Sequence, residues 1–289
     1  MAILLSLFQG IWAIDADAVE AYRPLINAII KNPHEDFSHL MPKARVFDYT
    51  AISAAAETPI ASPMTWNGGL AAAKKGSIAV LPIAGPIMKN DFCGSAGTAT
   101  MCNWLSQVEK NPNIIGSILF TDSPGGNVDG PPVLADHINT CSKPVLAYVD
   151  GMCASAAYWI CSAADHIMAA HPINTIGSIG VMRTMKDYRA HDEKKGVKTQ
   201  MIYASTSPDK NKDYHDAMDG NTAMVQKRLD EMHALFKAAV SKNRWNAGLD
   251  KSTLTGHTYL ANEAKDKGLI DSIGSMSAAF NKVTQLSKS

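Results

Sequence analysis

From Ser77 onward the chain alternates between short apolar runs and longer stretches with helical spacing. "SIAVLPIAG", "IIGSILFTD", "KPVLAYVD", "HIMAAH" and "KTQMIYAS" are each bounded by Gly, Pro or polar residues, and each reads as a strand. Runs that are apolar at nearly every position predict a largely parallel sheet buried on both faces. Helical candidates lie between them, over 98–109, 129–141, 155–164 and 184–195. A longer amphipathic helix is predicted over 221–243. Its buried face would carry Met224, Leu229, Met232, Leu235, Phe236 and Val240, with Lys227, Arg228, Asp230 and Glu231 in solvent.

Before residue 76 the pattern is different. "DADAVEAYRPLINAIIKN" spaces Val19, Tyr22, Leu25, Ile26 and Ile29 as one helical face, with Asp15 or Asp17 as N-cap. "MAILLSLFQGIWAI" is apolar, but no basic residue precedes Arg23. It is also shorter than the roughly 20 apolar residues of a membrane span. It reads as a strand or short helix packed on the protein, with no clear membrane anchor. "YTAISAAAETPIASPMTWNGGLAAAKKG" is rich in small residues and reads as a loose linker. The expected organisation is an N-terminal extension and linker over 1–75, one domain over 76–282 and a tail over 283–289.

Composition narrows the class. With 46% hydrophobic and 19% charged residues, the 289-residue chain suits an α/β protein with a sizeable core. Its 27 basic residues balance 27 acidic ones, so no overall field points to nucleic acid or an anionic membrane. The five cysteines, Cys93, Cys102, Cys141, Cys153 and Cys161, form neither a disulfide framework nor a paired metal-ligand spacing. A reducing, cytoplasmic setting is expected. Neither a Walker-type phosphate loop nor an HExxH zinc motif occurs, and no metal or cofactor is expected.

Ligands of α/β sheets gather beyond the carboxyl ends of strands. Two such ends stand out. "SILFTDSPGGNVDG" leaves a strand for a turn whose glycines keep backbone N–H groups unobstructed, and "VLAYVDGMCAS" leaves another for Ser155, where a helix begins. A helix start presents unpaired N–H groups and a partial positive charge. The N–H groups of Gly125 and Ala156 could together receive a developing oxyanion, with the Ser155 hydroxyl beside them as nucleophile. Taken singly, a serine before an apolar helix is usually a cap and "PGG" a turn.

At these positions the sequence resembles a known family. "TDSPGGNV", "DGMCASAAYWICSAADHIMAAHPINTIGSIGVM" and "TGHTYLANEAKDKGLIDSIGS" look like the signal peptide peptidase A family of serine-lysine peptidases, over roughly residues 77–282. The resemblance implies the α/β fold shared by Clp protease and crotonase, with its mostly parallel sheet built of repeated ββα-type units. It also implies peptide hydrolysis without a cofactor, on a protein or peptide substrate, and a homo-oligomer whose sites can draw on neighbouring subunits. The phage-encoded branch, which cleaves scaffold or capsid proteins during head maturation, is the nearer likeness; a cellular signal-peptide peptidase is the alternative. Ser155 falls on the family's nucleophile, and Gly125 and Ala156 on its oxyanion-hole residues. Ser178, in "TIGSIGV", falls on the serine that positions the general-base lysine. That lysine lies on a loop after the strand corresponding to "TQMIYAS", which here reads "TSPDKNKDYHD". Lys210 is the preferred base and Lys212 the alternative.

Rival classes leave recognisable marks. A Ser-His-Asp enzyme on the same fold would place its histidine near position 180, where the chain reads "GSIGV"; His166 and His171 read as structural or exposed. A crotonase-like acyl-CoA enzyme would bring a carboxylate from the helix after Ser155 or from the next one; residues 152–164 hold none, and a serine stands at the nucleophile position. An inactive capsid-scaffold component would not need Ser155, Gly125, Ser178 and a loop lysine together.

Overall fold

The computed structural model describes residues 73–91 and 95–289, together with the backbone of two short strands before them. These are β1 (Trp12–Ile14) and β2 (Ala51–Ser53). The chain continues through β3 (Ser77–Ala84), α1 (Thr98–Lys110), β4 (Ile114–Ser123), β5 (Gly125–Asn127), α2 (Pro131–Thr140), β6 (Val145–Ala154) and α3 (Ala156–Cys161). Beyond these come β7 (His166–Ala169), β8 (Thr175–Gly177), α4 (Arg189–Lys194), α5 (Lys212–Met218) and α6 (Ala223–Asn243). The C-terminal part adds β9 (Thr258–Leu260), α7 (Ala261–Asp266), β10 (Ser272–Ile273) and α8 (Met276–Leu286).

The main sheet runs in the order β10-β7-β6-β4-β3-β2, with β8 joined to β6 and β9 to β8. The pairs β3/β4, β4/β6, β6/β7, β6/β8 and β7/β10 are parallel. Within this sheet the peripheral pairs β2/β3 and β8/β9 are antiparallel, as is the separate pair β1/β5. The expected largely parallel α/β architecture is the one observed.

Strand periodicity explains why these runs are apolar throughout. Successive side chains point to opposite faces. Ile78, Val80, Ile118, Phe120, Leu146 and Tyr148 therefore line one face, where Ala279 and Val283 of α8 cover them. Ala79, Leu81, Ile83, Leu119, Val145, Ala147 and Val149 line the other, under Met101, Trp104 and Leu105 of α1, Leu134 and Ile138 of α2, α3, and Phe236 and Val240 of α6. α8 runs on to Leu286, so Val283, within the stretch read as a tail, is a core residue. Likewise β1 and β2, from the stretch read as extension and linker, pair with β5 and β3.

Several expectations are corrected. "KTQMIYAS" forms no strand: Met201 and Ile202 are 56% and 86% exposed, so its apolar side chains find no cover among the described residues. The helix expected over 184–195 shrinks to α4, which buries no residue, and that over 155–164 shrinks to α3. On α6, Met224 and Leu235 are exposed, while Val225 is buried with Phe236 and Val240. The true stripe is Val225, Leu229, Met232, Phe236 and Val240, at steps of three and four. Ala51–Ser53, read as linker, is an edge strand. The helix expected over 15–32, and Cys93, lie outside the described residues.

Candidate active site

The site begins with a slip in strand register. Thr121 of β4 pairs with Val149 of β6, but the next pairing is Ser123 with Cys153. The extra residues of β6 form a bulge, held where the Met152 N–H donates to Asp122 Oδ1 at 3.1 Å. Beyond the bulge, β6 leaves β7 and pairs with β8, ending with Ala154 opposite Gly177. Ser155 comes next, its N–H donating to the Gly177 carbonyl at 2.7 Å.

Ser155 has φ 56° and ψ −117°, in the left-handed half of backbone space. A non-glycine residue held there costs about 1–3 kcal/mol, which the surroundings must outweigh. They do so by burial. Every residue of α3 is buried, and Trp159 stacks on Phe236 of α6 with ring centroids 4.4 Å apart and planes at 8°. The Tyr158 hydroxyl donates to the Leu269 carbonyl at 2.8 Å, and burial holds its pKa well above that of a free phenol. The Trp159 N–H donates to the Ser155 carbonyl at 2.9 Å, fixing the serine to the first turn. Among the described residues, Ser155 Oγ makes a long contact of 3.4 Å to the Gly180 carbonyl. The hydroxyl is thus fixed in place by its backbone and weakly engaged by its surroundings.

Register brings the second strand end alongside. Ser123, the last residue of β4, pairs with Cys153, and two residues beyond that pair come Gly125, the first residue of β5, and Ser155. Gly125 has φ 97°, a conformation that favours glycine. Its N–H meets Ser123 Oγ at 3.2 Å, while Ser123 Oγ itself donates to the Gly85 carbonyl at 2.6 Å. Its carbonyl accepts the Ile87 N–H at 2.9 Å, and the Asn127 N–H donates to the Ile87 carbonyl at 2.8 Å. Gly126 lies against that segment so closely that a Cβ would sit 1.9 Å from the Ile87 carbonyl oxygen, so both glycines of "PGG" are required. Ala156 opens α3, where the helix leaves its first N–H groups without an internal partner.

Ser178, also at positive φ (52°), follows β8; its N–H donates to the His257 carbonyl at 2.8 Å. The structure therefore gathers Ser155, Gly125, Ala156 and Ser178. It does not bring the loop lysines to them within this chain. Lys210 is exposed in the turn before α5, and Lys212, at the first position of α5, pairs with Asp216 at 3.1 Å. Sequence reading missed His233 on α6, whose Nε2–H donates to the Ile179 carbonyl at 3.0 Å and so ties down the 178–180 turn that faces Ser155. Its one signal was spacing, four residues after Leu229 and three before Phe236. His166 is half-buried against Ser272 at 2.8 Å and His171 is exposed, as expected.

Beneath the site, Arg244 clamps Asp271 at 2.7 and 3.1 Å, and Asp271 accepts the Ile167 N–H at 2.6 Å. Burial alone would raise the Asp271 carboxyl. The guanidinium's hydrogen bonds and charge outweigh it and hold the pKa below the usual carboxylate range. Glu109, His137 and Cys141 bring potential ligand atoms within 4.8 Å of one another. Burial, with smaller contributions from Glu109 and Asp165, pushes the Cys141 thiol up to about 12, so it is protonated at neutral pH. Among the described residues no helix is long and apolar enough to cross a membrane.

Known proteins resemble this chain in sequence and in architecture. Capsid assembly protease C of Escherichia phage lambda is 31% identical over 206 residues, covering 68% of this chain and 46% of that protein. Protease 4 of Salmonella typhi is 29% identical over 220 residues, covering 74% of this chain and 35% of that protein. The chain spans between about a third and three fifths of the length of the curated relatives it matches. Among solved structures, a 1510-N membrane-bound stomatin-specific protease aligns with TM-score 0.47 at 17% identity, over 73% of this chain and 85% of that one. ClpP1 of Listeria monocytogenes aligns with TM-score 0.45 at 17% identity, over 70% and 94%. At such values the likeness concerns architecture alone. The model of peptidase family S49 matches residues 137–289, more than half of the chain and the part that carries Ser155, Ser178 and both loop lysines, and the chain belongs to that family.

Proposed function

We propose that this chain is a serine endopeptidase in which Ser155 attacks the peptide carbonyl and a lysine of the 205–215 loop, Lys210 or else Lys212, takes its proton. The observation that carries the reading is Ser155 itself, held at φ 56° on a strand-to-helix junction, two residues past the pair of Cys153 with Ser123 as Gly125 is on the other strand. The Gly125 and Ala156 N–H groups receive the oxyanion that forms on attack. Only a backbone N–H is needed at 156, so a Cβ there is tolerated. Ser178 orients the lysine amine.

A free lysine has a pKa near ~10.4 and is a poor base at neutral pH. Desolvation against apolar walls lowers it, giving a neutral amine that can accept the Ser155 proton and later return it to the leaving amine. Both candidates are exposed in the single chain. We infer that assembly supplies the apolar walls. The segment around them exposes Tyr188, Val197, Met201, Ile202, Tyr203 and Tyr214, more apolar surface than a finished monomer usually shows. The likeness to the lambda capsid assembly protease favours scaffold or capsid protein as substrate, in the prohead or host cytoplasm; a cellular signal-peptide peptidase is the other setting within the family.

One observation favours a non-catalytic scaffold component instead: neither lysine contacts Ser155 in this chain. Casein proteolysis by wild type, Ser155→Ala, Lys210→Ala and Lys212→Ala separates the readings. The proposal expects cleavage lost with Ser155→Ala and with one lysine variant. No cleavage by folded, assembled wild type would leave the scaffold role.

A further inference from the structure

Glu109, His137 and Cys141 have no part in the peptidase reading. They meet where two helices end. Glu109 lies in the last turn of α1, His137 in the last turn of α2, and Cys141 at the α2 C-cap, four residues after His137. Sequence spacing hid the set, since Glu109 stands 28 residues before His137 on a different helix. β6 begins at Val145, shortly after Cys141, and Ser155 follows its other end. The cluster and the nucleophile therefore stand at opposite ends of one strand.

The donor atoms are spaced for one ion. Ligands of a tetrahedral zinc at its usual bond lengths stand about 3.3–3.7 Å apart. His137 Nε2 and Glu109 Oε2 are 3.3 Å apart, and all three donor atoms fall within 4.8 Å of one another. Cys141 Sγ thus has roughly 1 Å to close at most. All three side chains are half-buried, open enough to admit an ion. Glu109 Oε1 accepts the Ser142 N–H at 3.0 Å, the kind of outer contact that fixes the orientation of a metal ligand. Helix C-termini carry partial negative charge, which favours a cation. At the α1 end Lys143 already answers it, donating to the Val108 carbonyl at 2.7 Å. The last turn of α2 holds neither lysine nor arginine.

We propose that Glu109, His137 and Cys141 bind a divalent transition-metal ion between the ends of α1 and α2, and that thiolate, imidazole and carboxylate together select zinc. The ion takes Cys141 as thiolate, and the thiol proton leaves to solvent. His137 offers the Nε2 lone pair, so its ring proton stands on Nδ1. Water completes the fourth position. The ion replaces the direct contact of His137 with Glu109 and ties both helix ends to the segment that leads into β6. This inference is independent of the peptidase reading, and either can fail alone.

Zinc alone is the probe. The full chain, stripped with a chelator and dialysed against buffered zinc, should retain one zinc per chain by elemental analysis. Cys141→Ser and His137→Gln should each weaken binding at least about a hundredfold in competition with a chromophoric chelator. His171→Gln, which changes an exposed histidine outside the cluster, should bind as wild type does. Zinc should also raise the Tm of wild type and leave that of His137→Gln unmoved. Cobalt(II) in place of zinc should give wild type a thiolate-to-metal charge-transfer absorption, which keeps the test open if Cys141→Ser fails to fold. Wild type that holds no more zinc than Cys141→Ser, or a cobalt spectrum without the thiolate band, would overturn the inference and leave Glu109 as a helix-end cap. Equal loss of zinc with His171→Gln would place the ion elsewhere and overturn it as well.

Discussion

The two halves of the proposed dyad sit in opposite environments. Ser155 is 1% exposed, between strands that pack on both faces and a helix with every residue buried. The arm that carries Lys210 and Lys212, residues 182–222, contains α4 and α5, neither of which buries any residue, and leaves Ile202 86% exposed. Positions of the first kind are over-determined by packing, which is what lets Ser155 keep a strained backbone. Positions of the second kind have few contacts to fix them and are open to rearrangement. On the proposed reading, one chain builds the nucleophile completely and the base only in part. A neutral lysine needs the desolvated setting that the arm lacks alone.

The largest effect should come from the buried half. Ser155→Ala is expected to lower turnover by about 10⁴–10⁶-fold without unfolding the protein, read by casein hydrolysis with circular dichroism as control. On the arm, one of Lys210→Ala and Lys212→Ala should match that loss, and the other should stay within about twofold, since groups acting as a unit fail together. Equal, small effects from both would break the comparison at its weaker side.

Stability should divide along the same line. Phe236→Ala removes the partner of Trp159 behind the nucleophile and should cost about 3–5 kcal/mol, read as a lowered Tm. Ile202→Ser, on the arm, should change the stability of the single chain by less than about 0.5 kcal/mol, yet weaken assembly seen by sedimentation. Acid should act through Asp271. Its folded pKa is depressed, so its contribution is present above the unfolded value near ~3.9 and is lost as pH falls through the folded one. Asp271→Asn should remove that part of the acid dependence, measured as Tm against pH below 5.

Legibility in the sequence followed the same division. The strands around Ser155 were readable because burial on both faces writes continuous apolar runs, and Ser155, Gly125 and Ser178 stand where those runs end. "KTQMIYAS" looked the same and forms no strand, because a run of apolar residues records a need for cover and not the source of that cover. The stripe on α6 was misread by one position at Met224 and Leu235, since several helical faces fit a methionine-rich sequence. The Ile87 segment beside β5 left no local signal, because its pairing is between backbones. The same holds for β1, whose partner lies more than a hundred residues away.

The most direct test of a nucleophile built by one chain and a base completed by assembly is specific activity across a dilution series, with sedimentation velocity on the same samples. The account predicts that casein hydrolysis per chain falls in step with the appearance of monomer. Full specific activity in a sample shown to be monomeric would contradict it.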